Sequence, residues 1–192
     1  MQVRIHRTDG KTGSYSQSHQ DRATVLLKRL DPNRLFCSGP IVIGEHNPFS
    51  VLNPDHINWV EVRAPGQTLP VLRPSGIERV VMLAGRPQYE EILERQWPRW
   101  RVMRKSNPGD LMEALVELSL RGGSELYLRV TGVVTQEPLS DLVFGQPAIT
   151  AHIEPDGAVY VNPQSIVRAR VYHSLGEVQY PSGLWFADAD DI

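Results

Sequence analysis

Arg95, Arg99, Arg101, Arg104 and Lys105 place five positive charges in eleven residues, with no acid among them and with Trp97 and Trp100 interleaved. Arginine and lysine neutralise phosphates and release condensed counterions. Tryptophan stacks on unpaired bases, worth roughly 1–3 kcal/mol per base. Segment 95–105 is therefore the candidate contact for nucleic acid or a protein partner. A structural reading of the same residues stands beside it. If Trp100–Arg104 is a strand, Trp100, Val102 and Arg104 share one face, and Arg101 and Met103 the other. Trp100 and Val102 then belong to the core, and the arginines line a solvated edge that resists aggregation.

Other reactive residue types are thinly spread. The six histidines (His6, His19, His46, His56, His152 and His173) form no HxH or HxxxH pair, so no metal site is expected. Glu45-His46 and Asp55-His56 flank an Asn-Pro turn, and a carboxylate beside an imidazole can do acid–base chemistry. Neighbours along a strand point to opposite faces, however, which favours plain turn residues. Cys37 has no base beside it and reads as a small buried hydrophobe. Gly10-Lys11-Thr12-Gly13 holds the Gly-Lys-Thr triplet of a phosphate loop without its first glycine or its strand–loop–helix setting, so it reads as a hairpin or mobile loop. No catalytic residue and no cofactor is expected.

The elements that would carry these residues are mostly β. Asp9-Gly10 is a turn signal, residues 8–19 read as a loop, and Ala23, Leu26, Leu27 and Leu30 fall at helical spacing before Asp31-Pro32. Ile41–Ile43, Phe49–Leu52 and Ile57–Val62 read as strands, and the proline-rich stretch 64–76 as a connection. In the middle third, Val80–Leu83 is a short strand, Tyr89–Glu94 a helix and Trp100–Met103 a strand. The spacing predicts a helix after Asn107-Pro108, with Leu111, Leu115 and Leu118 as its buried stripe and Gly122-Gly123 as its stop. Strands follow at Glu125–Val134, Ala148–Ile153, Ala158–Val161 and Ile166–Tyr172, with Asp156-Gly157 as a hairpin turn.

One pattern occurs twice. Val51-Leu-Asn-Pro-Asp-His-Ile-Asn-Trp-Val-Glu-Val62 reappears 109 positions later as Tyr160-Val-Asn-Pro-Gln-Ser-Ile-Val-Arg-Ala-Arg-Val171. In each copy a strand runs into Asn-Pro, where asparagine caps a turn and proline presets the next φ. Either the two copies are true repeats or two strand–turn–strand units have converged. Residues 51–62 resemble the strand–Asn-turn–strand segment of short FlbD-type flagellar regulatory proteins, and more loosely that of small barrel domains. The resemblance covers only this segment and implies no catalytic residue.

The chain of 192 residues, 41% apolar and 22% charged, is ordinary for a globular protein. Its single cysteine excludes an intrachain disulfide. With no signal-like start and no apolar run long enough to span a bilayer, the expectation is a cytoplasmic protein with no membrane partner. The net charge of −2 hides an asymmetry: residues 1–44 carry seven Lys/Arg and three acids, residues 125–192 three Arg and nine acids. Such separation suits an anionic partner or a homo-oligomer as well as simple solvation.

The expected fold is α+β, with two strand-turn-strand β modules of sheet or small-barrel type flanking an α/β middle. The segments are 1–65, β-rich with one helix; 66–135, α/β; and 136–192, a β module with an acidic tail. The expected function is non-enzymatic binding or regulation through segment 95–105. The alternatives are protein–protein assembly or a structural role, and a small enzyme with a pocket near the first Asn-Pro turn.

Overall fold

In the computed structural model, residues 1–44, 49–70, 80–102, 107, 109–133 and 146–174 are described. Strands β1 (Gln2–Arg7) and β2 (Thr12–Ser16) form a hairpin through Asp9-Gly10, with Gly10 at φ +78°. Helix α1 (Gln20–Arg29) follows, then β3 (Ile41–Gly44) and β4 (Phe49–Leu52). A one-turn 3-10 helix at Pro54–His56 leads into β5 (Ile57–Arg63). The middle of the chain supplies β6 (Val80–Ala84), α2 (Arg86–Trp100), β7 (Leu111–Leu120) and β8 (Glu125–Val133). The last described elements are β9 (Ile149–Ile153), β10 (Gly157–Val161), a 3-10 turn at Pro163–Ser165, and β11 (Ile166–His173).

Nine of these strands join in one mixed sheet, in the order β11-β7-β8-β6-β9-β10-β5-β1-β2, and β3 and β4 pair separately. Among the described strands only β6 and β9 run parallel; the other pairs are antiparallel. With the two helices this is a mixed α+β architecture dominated by β. All three thirds of the chain contribute strands to the same sheet.

Register explains the layering. Trp59, Val159, Val161, Ile149 and Ala151 lie on one face of β5, β10 and β9; Val116, Leu118, Leu120, Leu126 and Leu128 lie on the same face of β7 and β8. These side chains pack into one buried cluster, so the sheet bends over and encloses its own inner face. The outer face is covered twice. Leu27 of α1 and Phe36 pack on Ile5, Val60, Val62 and Tyr160, while Tyr89, Ile92 and Trp100 of α2 pack on Leu115.

The two Asn-Pro turns meet. In each turn the asparagine Oδ1 accepts a backbone N–H two residues on, from Asp55 to Asn53 and from Gln164 to Asn162, both at 3.0 Å. Beyond this they differ. Asn53 is exposed, whereas Asn162 is buried and its Nδ2 donates to the carbonyls of Pro54 (3.1 Å) and Ile57 (3.0 Å). Ser165 Oγ and the Asn162 N–H both donate to the Asn58 carbonyl. Asn58 Nδ2 in turn reaches the carbonyls of Arg121 (2.8 Å) and Arg7 (3.4 Å), tying the β7–β8 turn to β1.

The sequence expectations need five corrections here. Residues 111–120 are a strand, not a helix, so the middle segment runs strand–helix–strand–strand. Met112, Ala114, Val116, Leu118 and Leu120 alternate inward, and pairing with both β8 and β11 overrides the helix propensity of Leu, Met, Ala and Glu. Gly122 and Gly123, at φ +77° and +81°, turn a hairpin instead of ending a helix. Residues 12–16 form edge strand β2 where a loop was expected, and α2 runs on through Pro98 to Trp100, where a strand was expected. Finally, Cys37 is exposed.

Candidate functional site

A cavity of about 400 Å³ lies between the outer face of the β1–β5 pair and the layer formed by α1, Leu35 and β3. Its floor is Val3 and Ile5 from β1 with Val60 and Val62 from β5. These alternate positions face away from the inner core, which is why one strand can serve two layers. Leu26 and Leu27 of α1, Leu30 capping it, and Ile41 and Ile43 of β3 form the opposite wall, completed by Met1, Tyr15, Ser16 and Gln17. Local sequence sets that wall. Ala23 and Leu27, one helical turn apart, are buried; the Leu30 N–H closes the last turn onto Leu26 and Leu27; Asp31 Oδ1 then accepts from the Asn33 N–H at 3.0 Å, with Pro32 buried. Leu26 and Val42 line the cavity yet are 44% and 61% exposed, so its mouth opens between α1 and β3. Among the described residues no charged side chain lines the space. It can hold an apolar group and offers little polar recognition.

A polar cluster occupies the other face of the same strands. The His6 ring stacks on Trp59 with centroids 4.1 Å apart and planes 12° off parallel. His6 Nε2 lies 3.0 Å from Glu61 Oε1, Trp59 Nε1 donates to the same oxygen at 3.4 Å, and Arg4 Nη1 stands 3.9 Å from Oε2. The adjacent His6 imidazole holds the Glu61 carboxyl below the usual carboxylate range; burial opposes this, and Trp59 and Arg4 reinforce it. Thr12 Oγ1 is 3.2 Å from His6 Nδ1, so the imidazole is held from both sides. Sequence reading missed this cluster because β1–β5 register, not proximity along the chain, brings the residues together. The available signal was the polar phase of the alternation: Arg4 and His6 on one strand, Trp59 and Glu61 on the other.

The part of segment 95–105 within α2 splits between two faces of the helix. Arg95 and Arg99, four residues apart, are exposed, and so is Arg101 just past the helix. None of the three has an ion-pair partner among the described residues. Trp97 and Trp100 turn inward. Trp97 meets Tyr172 edge-on at 5.0 Å, and Trp100, 6% exposed, packs with Tyr89, Ile92 and Leu115. Helical spacing therefore separates charge from aromatic rings, and Trp100 offers no face for stacking on a base. Arg104 and Lys105 lie outside the described residues, as do Glu45 and His46. Asp55 and His56 are exposed on their 3-10 turn, and no hydrogen bond or ion pair joins their side chains.

Among the described residues no group of three or more His, Cys, Asp or Glu is placed to hold a metal ion, and no helix is long and apolar enough to cross a membrane. Comparison with protein-family models, with curated proteins and with solved structures yields no match to this chain.

Proposed function

We propose that this is a non-enzymatic binding protein whose ligand is an elongated apolar molecule, or the acyl chain of an amphiphile, held in the cavity beneath α1. The observation that carries the reading is the cavity itself: about 400 Å³, apolar on both walls and open at Leu26 and Val42. Small-molecule sites are concave, largely apolar and typically about 300–1,000 Å³. At roughly 30 Å³ for a water-sized group, the space takes a chain of about a dozen methylenes. Each methylene withdrawn from water contributes about 0.8 kcal/mol before the costs of association.

Calorimetric titration with dodecanol and dodecanoate tests this. Saturable binding with a negative heat-capacity change is expected. Ile43→Trp, which fills the space from its half-buried wall, removes that binding while the protein still melts cooperatively. If neither amphiphile binds, or if Ile43→Trp binds as tightly as the wild type, the cavity is not the site.

A second reading is favoured by the exposed Arg95, Arg99 and Arg101, which have no ion-pair partner among the described residues: a phosphate-rich partner, nucleic acid included, held by charge alone. It predicts affinity that falls steeply with salt and is lost in Arg95→Glu/Arg99→Glu. Unchanged anisotropy of labelled DNA and RNA at low salt would reject it.

A further inference from the structure

The two ends of the nine-stranded sheet are finished differently. The β11 edge is blunted by a bulge between Ile166 and Arg168 and by Arg168 and Arg170, the usual devices against unwanted strand pairing. The β2 edge, Thr12-Gly-Ser-Tyr-Ser16, has no charge, no proline and no bulge.

Its hydrogen-bonding phase follows from the register. The Arg7 N–H donates to the Lys11 carbonyl and the Gln17 N–H to the Met1 carbonyl, both at 2.9 Å, so the odd-numbered residues of β2 face β1. Bonded and non-bonded pairs alternate along an antiparallel ladder. Thr12, Ser14 and Ser16 therefore turn their N–H and C=O groups outward, and among the described residues no strand lies beyond them.

We propose that β2 is an interface between two copies of this chain, paired antiparallel about a two-fold axis at Ser14. The strand is self-complementary in that register. Ser14 faces its own copy, Thr12 faces the partner's Ser16, and about six backbone hydrogen bonds close the seam. Gly13 faces the partner's Tyr15, and each Tyr15 ring lies over Gly13 of its own strand. No like charges meet, so nothing in the strand opposes the pairing. The pairing extends the sheet across both copies; Tyr15 and Ser16 also line the cavity beneath α1, but the seam is made by outward backbone groups of β2 and does not rest on the ligand proposed above.

Sedimentation velocity on the intact chain, from low to high micromolar concentration, tests the interface. The wild type is expected to shift from the mass of one chain to that of two. Ser14→Pro removes an N–H that β1 does not use and should hold the protein at one chain. Ser14→Lys and Ser14→Glu place like charges on the axis and should each weaken the dimer about tenfold or more, whereas an equimolar mixture of the two should restore it. The mixing arm keeps the test decisive if the proline variant fails to fold. A wild type that stays at one chain throughout, or charge variants that dimerise as the wild type does, overturns the proposal.

Discussion

The two Asn-Pro turns share a local geometry but carry unequal loads, and that inequality can be measured. Asn162→Ala removes donors to two buried carbonyls, those of Pro54 and Ile57, and the acceptor for the Gln164 N–H. A buried polar group left unsatisfied costs about 1–3 kcal/mol, and a lost cap about 1 kcal/mol. Some relaxation around so small a side chain brings the sum to about 3–5 kcal/mol. Asn53→Ala loses only the bond from the Asp55 N–H at an exposed turn, which costs about 1 kcal/mol. Urea unfolding followed by tryptophan emission separates the two. With a slope of about 2 kcal/mol per molar, Asn162→Ala lowers the midpoint by about 1.5–2.5 M and Asn53→Ala by about 0.5 M. The aspartate variants sharpen the comparison. Asn53→Asp keeps its acceptor in water and is nearly neutral, while Asn162→Asp aims a carboxylate at two carbonyls and is at least as damaging as alanine. Equal midpoint shifts for the two alanine variants, or a loss below about 1 kcal/mol for Asn162→Ala, would refute the claim that the second turn carries the larger load.

Three further outcomes follow from the packing and the charges. Gly122→Ala places a Cβ 2.0 Å from the Thr8 carbonyl oxygen at a φ of +77°, whereas Gly123→Ala, at +81°, meets open space. Thermal melts should show about 1–2 kcal/mol lost for Gly123→Ala and a clearly larger loss for Gly122→Ala, because the hairpin must also lift off β1. Glu61 has a lowered pKa in the fold, so its share of stability is present above the unfolded carboxylate pKa and is lost as pH falls through the lower folded value. Glu61→Gln should flatten acid unfolding in that window, and an unchanged acid limb counts against the His6–Glu61 pairing. Trp100→Ala should cost about 3–5 kcal/mol and Arg99→Glu less than about 0.5 kcal/mol; comparable melting shifts would contradict the assignment of opposite faces of α2.

Local chemistry made part of this fold legible. Strands at 41–44, 49–52 and 57–63 follow from apolar runs bounded by turn residues, α1 from leucine spacing before Asp31-Pro32, and the twin asparagine caps from a twelve-residue pattern. Strand β7 was not legible, because its residues are good helix formers and only the flanking β8 and β11 decide the matter. Edge strand β2 was missed because Thr-Gly-Ser-Tyr-Ser carries no apolar alternation. The cavity was hidden for a different reason. Its walls come from β1, α1, β3 and β5, and their curvature cannot be read from periodicity. At segment 95–105, composition alone could not foretell that a helix would send Arg95 and Arg99 outward and Trp97 and Trp100 inward.

The place of β10 between β9 and β5 has a kinetic consequence. Val60 on β5 meets Tyr160 on β10 across an interval of about one hundred residues. At synthesis rates of about 5–20 residues per second, that partner emerges roughly 5–20 s later. Until then Trp59, Val60 and Val62 have only the local β1–β2 hairpin to pair with, and one edge of β5 stays open. Refolding in vitro should therefore be slow for the chain's size, as contacts distant in sequence generally make it. The nascent first third is the stage at which a chaperone has most to hold.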